Sequence, residues 1–411
     1  MSSLVSTLKG LRGNARVCVY TEPLWGLSMN LCLPYASVYM LALGLRDSQL
    51  GLVATVYMLS QVVWAFLSGP ITDKMGRRRV TPIFDFLGWC IPCLIWWRAE
   101  SFWFFFVAAL LNGMMQIPSN SWTCLLIEDS DLEKIPGINS LVMVAGQLSV
   151  FFAPISAVLF SRLTLVPAIR ILYLNAFVIM TTKTLLLYIF TRETRMGLQR
   201  MEETRGKSLL SLSLGYRGVL RQMLSSPPTL FALFVNVLAG IVAMINGTFW
   251  QVIVSQKLLV PDYLLPAFPI LRSVVSIVFL FIVAPHVKTD SLKKPLLLGI
   301  ACCILGQSLL ILTPLEDPLR YLVLGISLTF DSLGSSFMFM LALSFMALNV
   351  NPNERARVQA ILYMVTMAAT APFGIIGGLL SSVSRNLPFV LNIVLLIIGF
   401  AVTCVYYRKR E

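Results

Sequence analysis

The sequence predicts an all-α integral membrane protein with twelve transmembrane helices in two pseudo-symmetric six-helix bundles. Three observations predict it: a hydrophobic composition, the lengths of the apolar segments, and the placement of the basic residues between them. The chain is 57% hydrophobic and only 12% charged, too few polar side chains to clothe a water-facing surface. Phe102 to Leu111, Ile277 to Ala284 and Ile393 to Phe400 are apolar all the way round, the pattern of helices solvated by lipid.

A hydrocarbon core about 30 Å thick needs roughly 20 helical residues. Segmenting on that length gives spans near 18–43, 48–70, 80–98, 102–127, 138–161, 170–190, 227–256, 261–285, 295–314, 318–348, 357–382 and 387–407. Helices are required because each backbone polar group must be satisfied within its own span, and nothing alternates like a transmembrane strand.

The basic residues set the orientation. With both termini inside, the inner segments collect about 23 Lys and Arg and the outer ends about 7, as the positive-inside rule requires. The formal net charge of +13 therefore reads as topology and not as a nucleic-acid patch. The polar, basic first sixteen residues precede an apolar segment too long for a signal-peptide core, so the first span is expected to be retained. Eight cysteines fall singly or in apolar runs and are expected to be packing residues; Cys90 and Cys93 imitate a redox motif but lie inside a span.

The longest polar segment, 191–226, divides the chain into an N-terminal bundle, 1–190, and a C-terminal bundle, 227–411. Leu209, Leu212, Leu220, Met223 and Leu224 predict an amphipathic helix along the inner surface. The halves echo each other. Ala153-Pro154 in span 5 matches Ala371-Pro372 in span 11, and Gly69, Asp73 and Gly76-Arg77 after span 2 are mirrored by His286, Asp290 and Lys293-Lys294 after span 8.

Gly69-Pro70-Ile71-Thr72-Asp73-Lys74-Met75-Gly76-Arg77-Arg78-Arg79 resembles the cytoplasmic signature between spans 2 and 3 of the major facilitator superfamily, G-x-x-x-D-[RK]-x-G-[RK]-[RK]. The resemblance implies two helical domains that expose a central site to each side in turn. It also implies a cytoplasmic latch, in which Asp73 faces the N-terminus of span 11. On physical grounds Gly69 and Gly76 admit close helix crossings. Arg77 and Arg78 can pair with Glu128 or Asp129 at the inner end of span 4, worth ~1 to 3 kcal/mol. Asp290 is the second-half counterpart, with Lys293 or Lys294 meeting Glu354.

Ionisable groups inside lipid are costly and mark candidate sites. Asp331 and Arg272, near the middles of spans 10 and 8, are expected to form a buried pair that binds charged substrate or exchanges a proton; Glu22 in span 1 is a second coupling candidate. Asp85 and Lys183 lie nearer the inner surface and are expected to reach headgroups or loop charges. Asn112, Gln116 and Asn120 form one stripe of span 4, which with Asn30, Asn236, Asn246, Trp250 and Gln251 is expected to line the cavity. Interhelical hydrogen bonding is the other use of such amides.

The expected function is secondary transport of a small organic solute, coupled to protons, by a monomer in the plasma (inner) membrane, with lipid as its other partner. The family's antiporter and sugar-porter signatures are missing, so amphipathic-compound efflux and sugar or metabolite uptake both stay open. A transporter-like receptor that binds without flux is the alternative. No cofactor or metal is called for, and His286 as the sole histidine excludes di-histidine metal chemistry of an enzyme.

Overall fold

The computed structural model describes residues 7–209, 212, 226–287, 292–349 and 355–408, the side chains of 132, 147 and 343–360 excepted. The expected amphipathic helix of the linker, Asp290 and Glu354 lie outside the described residues. Among the described residues every regular element is helical.

Among the described residues eleven helices are long and apolar enough to cross a membrane. In chain order, and counting the first helix, they are α1 Gly13–Cys32, α2 Asp47–Met75, α3 Arg77–Trp97, α4 Phe102–Ile127, α5 Ile135–Arg162 and α6 Leu165–Phe190. After the linker come α7 Pro227–Lys257, α8 Asp262–His286, α9 Lys293–Leu312, α10 Leu319–Asn349, α11 Arg355–Thr370 with Pro372–Val383, and α12 Leu387–Arg408. α1 is outside the eleven because Arg16, Glu22 and Asn30 interrupt its apolar run; a second helix, Ala36–Ala42, continues it.

The sequence puts Ile71 to Arg79 of the signature between spans 2 and 3. Instead α2 stays helical through Pro70 to Met75 and α3 opens at Arg77, leaving Gly76 as the turn, at φ 84°. That left-handed conformation suits glycine, which has no Cβ to clash. The Ala-Pro echo also has a structural counterpart. α5 is interrupted before Pro154 and α11 at Ala371 before Pro372, as expected where proline lacks the amide that continues a helix.

Contacts group the chain into two compact units, Met1–Tyr35 with Val56–Gly215, and Ala36–Thr55 with Tyr216–Glu411. The first turns of α2, up to Thr55, thus belong with the second unit and the rest with the first. The first unit holds an apolar core of Leu11, Cys18, Leu125, Leu126, Ile138 and Leu187. In the second, Phe231, Val235, Leu296, Ile300, Leu341 and Leu396 pack together, and Phe231 stacks on Tyr406 with centroids 3.9 Å apart. All eight cysteines are free thiols.

Candidate functional site

Where α2 meets α3 in the first unit, the Arg77 guanidinium forks onto Glu128, with Nε 3.2 Å from both carboxylate oxygens and Nη2 3.1 Å from Oε1. Nη2 also pairs with Asp73 at 3.1 Å. Bidentate pairing of a buried guanidinium is the strong form of this interaction. Asp129, by contrast, is exposed and accepts from the Arg195 amide at 3.3 Å. Arg78 lies exposed over the Tyr188 ring, 5.7 Å from its centroid. Gly69 is partly exposed within α2.

Sequence reasoning missed Glu193. Its carboxylate accepts from the amides of Arg77 at 2.9 Å and Arg78 at 3.0 Å, capping the free N–H groups and positive dipole end of α3. A Cβ at Gly76 would meet Glu193 Oε2 and lie 2.7 Å from Met201 Sδ, so the glycine makes room for this cap. Thr194 then donates to Glu128 and accepts from Gly197 at 2.9 Å, tying the short helix Arg195–Glu203 to the cluster. A single acid in a polar loop carries no sequence signal for such a role.

Farther along the helices of the first unit, Glu22, Asp85 and Lys183 line one cavity of about 180 Å³. Each is at least nine-tenths buried. Lys183 Nζ lies 3.6 Å from Asp85 Oδ2. Asp85 and Lys183 therefore do not reach for headgroups as expected; the faces of α3 and α6 that carry them meet each other, which depth from a helix end does not reveal. Gly26 packs on Ser149, and a Cβ there would lie 3.6 Å from the Gly146 backbone; Asn30 is half-buried.

The three amides of α4 are used across helix seams. Asn112 donates to the Gly88 carbonyl at 2.6 Å, Gln116 to Gln61 at 2.6 Å, and Asn120 to Thr72 at 3.4 Å.

In the second unit the expected pair is present: Arg272 Nη2 donates to Asp331 Oδ2 at 3.3 Å. Asn246 adds bonds of 3.0 and 3.1 Å to the two carboxylate oxygens. Gln307, which stands alone in an apolar stretch and escaped sequence reasoning, lies 3.4 Å from Asp331 Oδ1 and 3.5 Å from Asn246 Oδ1. A buried carboxylate is tolerated only with such donors. Gly306 makes the approach of α9 to α10 close, since a Cβ there would lie 2.5 Å from the Asp331 amide.

The pair is asymmetric. The Arg272 side chain is 38% exposed and that of Asp331 only 3%. Arg272 also lies over the Trp250 ring, 5.8 Å from its centroid, and Trp250 packs edge-on against Phe268. One turn along α10 from Asp331, Ser335 lines a cavity of about 470 Å³ with Asn236, Gly240, Phe339, Tyr363 and Met367. Asn236 donates to Ala232 at 2.8 Å and to Ala342 at 3.3 Å. Gln251 is buried with its Oε1 unbonded among the described residues.

At the start of α2, Asp47 accepts from Arg385 and, at 3.0 Å, from Ser381. Thr55 donates to the Ala371 carbonyl at 2.7 Å and accepts from the Ile375 amide at 3.0 Å. All these residues belong to the second unit.

Apolar helices of spanning length, carrying buried ion pairs at depth, define a multi-pass integral membrane protein. The sequence profile of the Major Facilitator Superfamily matches residues 24–330; the chain belongs to that family. An uncharacterized MFS-type transporter of Bacillus subtilis (strain 168), YqjV, is 28% identical over 136 residues, and the match spans 33% of this chain and 33% of that relative's length. Among solved structures, the nucleoside transporter NupG is similar with a TM-score of 0.74 at 14% identity, over 96% of this chain and 99% of that one. A POT family transporter in complex with a thioalcohol conjugated peptide has a TM-score of 0.72 at 13% identity, over 98% and 99%. At these identities the likeness is one of fold.

Proposed function

We propose that the chain is a secondary active transporter that carries a small organic solute across the membrane by alternating access, with both termini on the cytoplasmic side. The observation that carries the proposal is the asymmetry of Arg272 and Asp331. A half-exposed guanidinium is available to an accepting group on a solute, while the carboxylate behind it is sealed by Asn246 and Gln307. When the solute draws Arg272 away, Asp331 loses its counter-cation in a site where an unpaired charge is costly, and a proton takes the place of that charge. Solute and proton binding are thereby coupled at one residue.

The neighbouring cavity, mostly apolar with Asn236, Ser335 and Tyr363 as polar points, suits an amphipathic molecule. The basic inner segments support the proposed orientation, and the Asp73, Arg77, Glu128 cluster is the proposed inner latch, with Asp290 as its counterpart after α8. Glu22 is a further proposed coupling group. The test is counterflow in proteoliposomes, using a solute selected by its thermal stabilisation of the purified protein. Accumulation of labelled against unlabelled solute supports a carrier, and saturable binding without exchange overturns transport in favour of a receptor.

A further inference from the structure

We propose that the cavity of the first unit is a binding site for a small organic ammonium ion, distinct from the Asp331 centre and independent of whether the chain transports. Three features of the cavity meet in this inference.

The first is its charge. Two carboxylates, Glu22 and Asp85, face one ammonium, Lys183, across about 180 Å³. Lys183 lies within ion-pair distance of Asp85. Glu22 is 8% exposed and makes no hydrogen bond or ion pair among the described residues. A carboxylate so placed is satisfied by a cation or by a proton, because an unpaired buried charge is costly. With both acids ionised, the cavity lacks one positive charge.

The second is its wall. Trp25, Trp89 and Trp122 line the same space. Trp25 and Trp89 meet edge to face with centroids 6.2 Å apart, and Trp122 already holds a cation, Lys183 Nζ, 5.9 Å from its ring centroid. Indole faces attract ammonium groups and most favour alkylated ones, which shed water readily. Packing alone would be met by leucine; three indoles beside an unpaired acid match the chemistry of cation recognition.

The third is size. A dry cavity of about 150 Å³ holds benzene, so this space takes a molecule of roughly that bulk. The indole Nε1 of Trp122 is buried with no acceptor among the described residues, and a hydroxyl on the ligand is the complement to such a donor. A compact hydroxyalkyl ammonium satisfies charge, wall and volume together.

The experiment uses the full-length protein purified in detergent, with choline as probe and 3,3-dimethylbutan-1-ol, its uncharged isostere, as control. Intrinsic tryptophan fluorescence and the unfolding temperature are both followed during titration. Choline is expected to change the fluorescence saturably and raise the unfolding temperature, and the alcohol to do neither. Glu22→Gln is expected to weaken choline binding at least about tenfold, equivalent to ~1.4 kcal/mol. Should that variant fail to fold, Trp122→Leu is read by the same titration, with the same loss expected. Asp331→Asn is expected to leave choline affinity unchanged. Equal binding of the alcohol, unchanged affinity in the Glu22 or Trp122 variant, loss in the Asp331 variant, or no saturable signal with choline each overturns the proposal. None of these outcomes bears on proton-driven flux, which is measured separately on Asp331.

Discussion

Arg385, just beyond the end of α11, donates to Asp47, at the first residue of α2, and Ser381 donates to the same carboxylate at 3.0 Å. Below this polar contact the two helices touch through glycine. A Cβ on Gly374 would lie 2.8 Å from the Gly51 carbonyl oxygen and 3.0 Å from the Thr55 amide, and one on Gly378 only 2.6 Å from the Asp47 carbonyl oxygen. Gly374→Ala is therefore expected to destabilise the protein by about 1–3 kcal/mol through overpacking. Arg385→Ala, which strands a buried acid, is expected to raise the rate at which an impermeant maleimide labels a cysteine placed at Ser48. Unchanged melting in the first variant and unchanged labelling in the second would show that the contact is passive.

Arg77 and Arg78 are adjacent and chemically identical but should respond very differently to truncation. Arg77→Ala leaves Glu128 without its guanidinium in a largely buried site, at a cost of about 3–5 kcal/mol. Arg78→Ala removes an exposed side chain resting on Tyr188, with an effect within about 0.5 kcal/mol. Thermal unfolding of both variants in the same detergent decides the point, and equal losses would contradict it.

Glu193→Ala removes the acceptor for two amides at the start of α3. The expected loss is about 0.5–2 kcal/mol, the range for a helix cap, with Glu193→Gln recovering part of it. Hydrogen exchange of the Arg77 and Arg78 amides gives a local reading: protection should fall there and not across α6.

Asp73 bridges to Arg77 at 3.1 Å while its own side chain stays 35% exposed. Asp73→Asn should therefore cost little stability and slow turnover of any transported solute more than it changes solute affinity, as expected of a latch that acts on the conformational step. A variant with wild-type turnover would remove the latch role.

The spans were legible because lipid imposes a length and a polarity on each segment. Phe102–Ile127 was expected at 102–127, and the charges of Arg272 and Asp331, isolated in mid-span, announced their own pairing. Residues whose roles depend on which helix faces meet were not legible. Asp85 and Lys183, on helices distant in sequence, looked like charges that could each escape to the surface, and only the packing of α3 on α6 shows them buried together. Gln307 stands alone in an apolar stretch, Glu193 is a single acid in a polar loop, and Asp47 and Arg385 are far apart in the chain, so none carries a motif or a period that announces its partner. The α4 amides had the right spacing for a stripe, but spacing does not distinguish a cavity wall from a helix seam, and their hydrogen bonds run to α2 and α3.

The most direct test is solute accumulation in proteoliposomes under an imposed pH gradient, compared between the wild type and Asp331→Asn. One proton moved with the solute supplies about 1.4 kcal/mol per pH unit, enough for about a tenfold gradient of an uncharged co-transported solute. The wild type should concentrate the solute, while the variant should equilibrate it and still exchange labelled for unlabelled molecules. A variant that concentrates solute as well as the wild type would contradict the role of Asp331 as the coupling carboxylate.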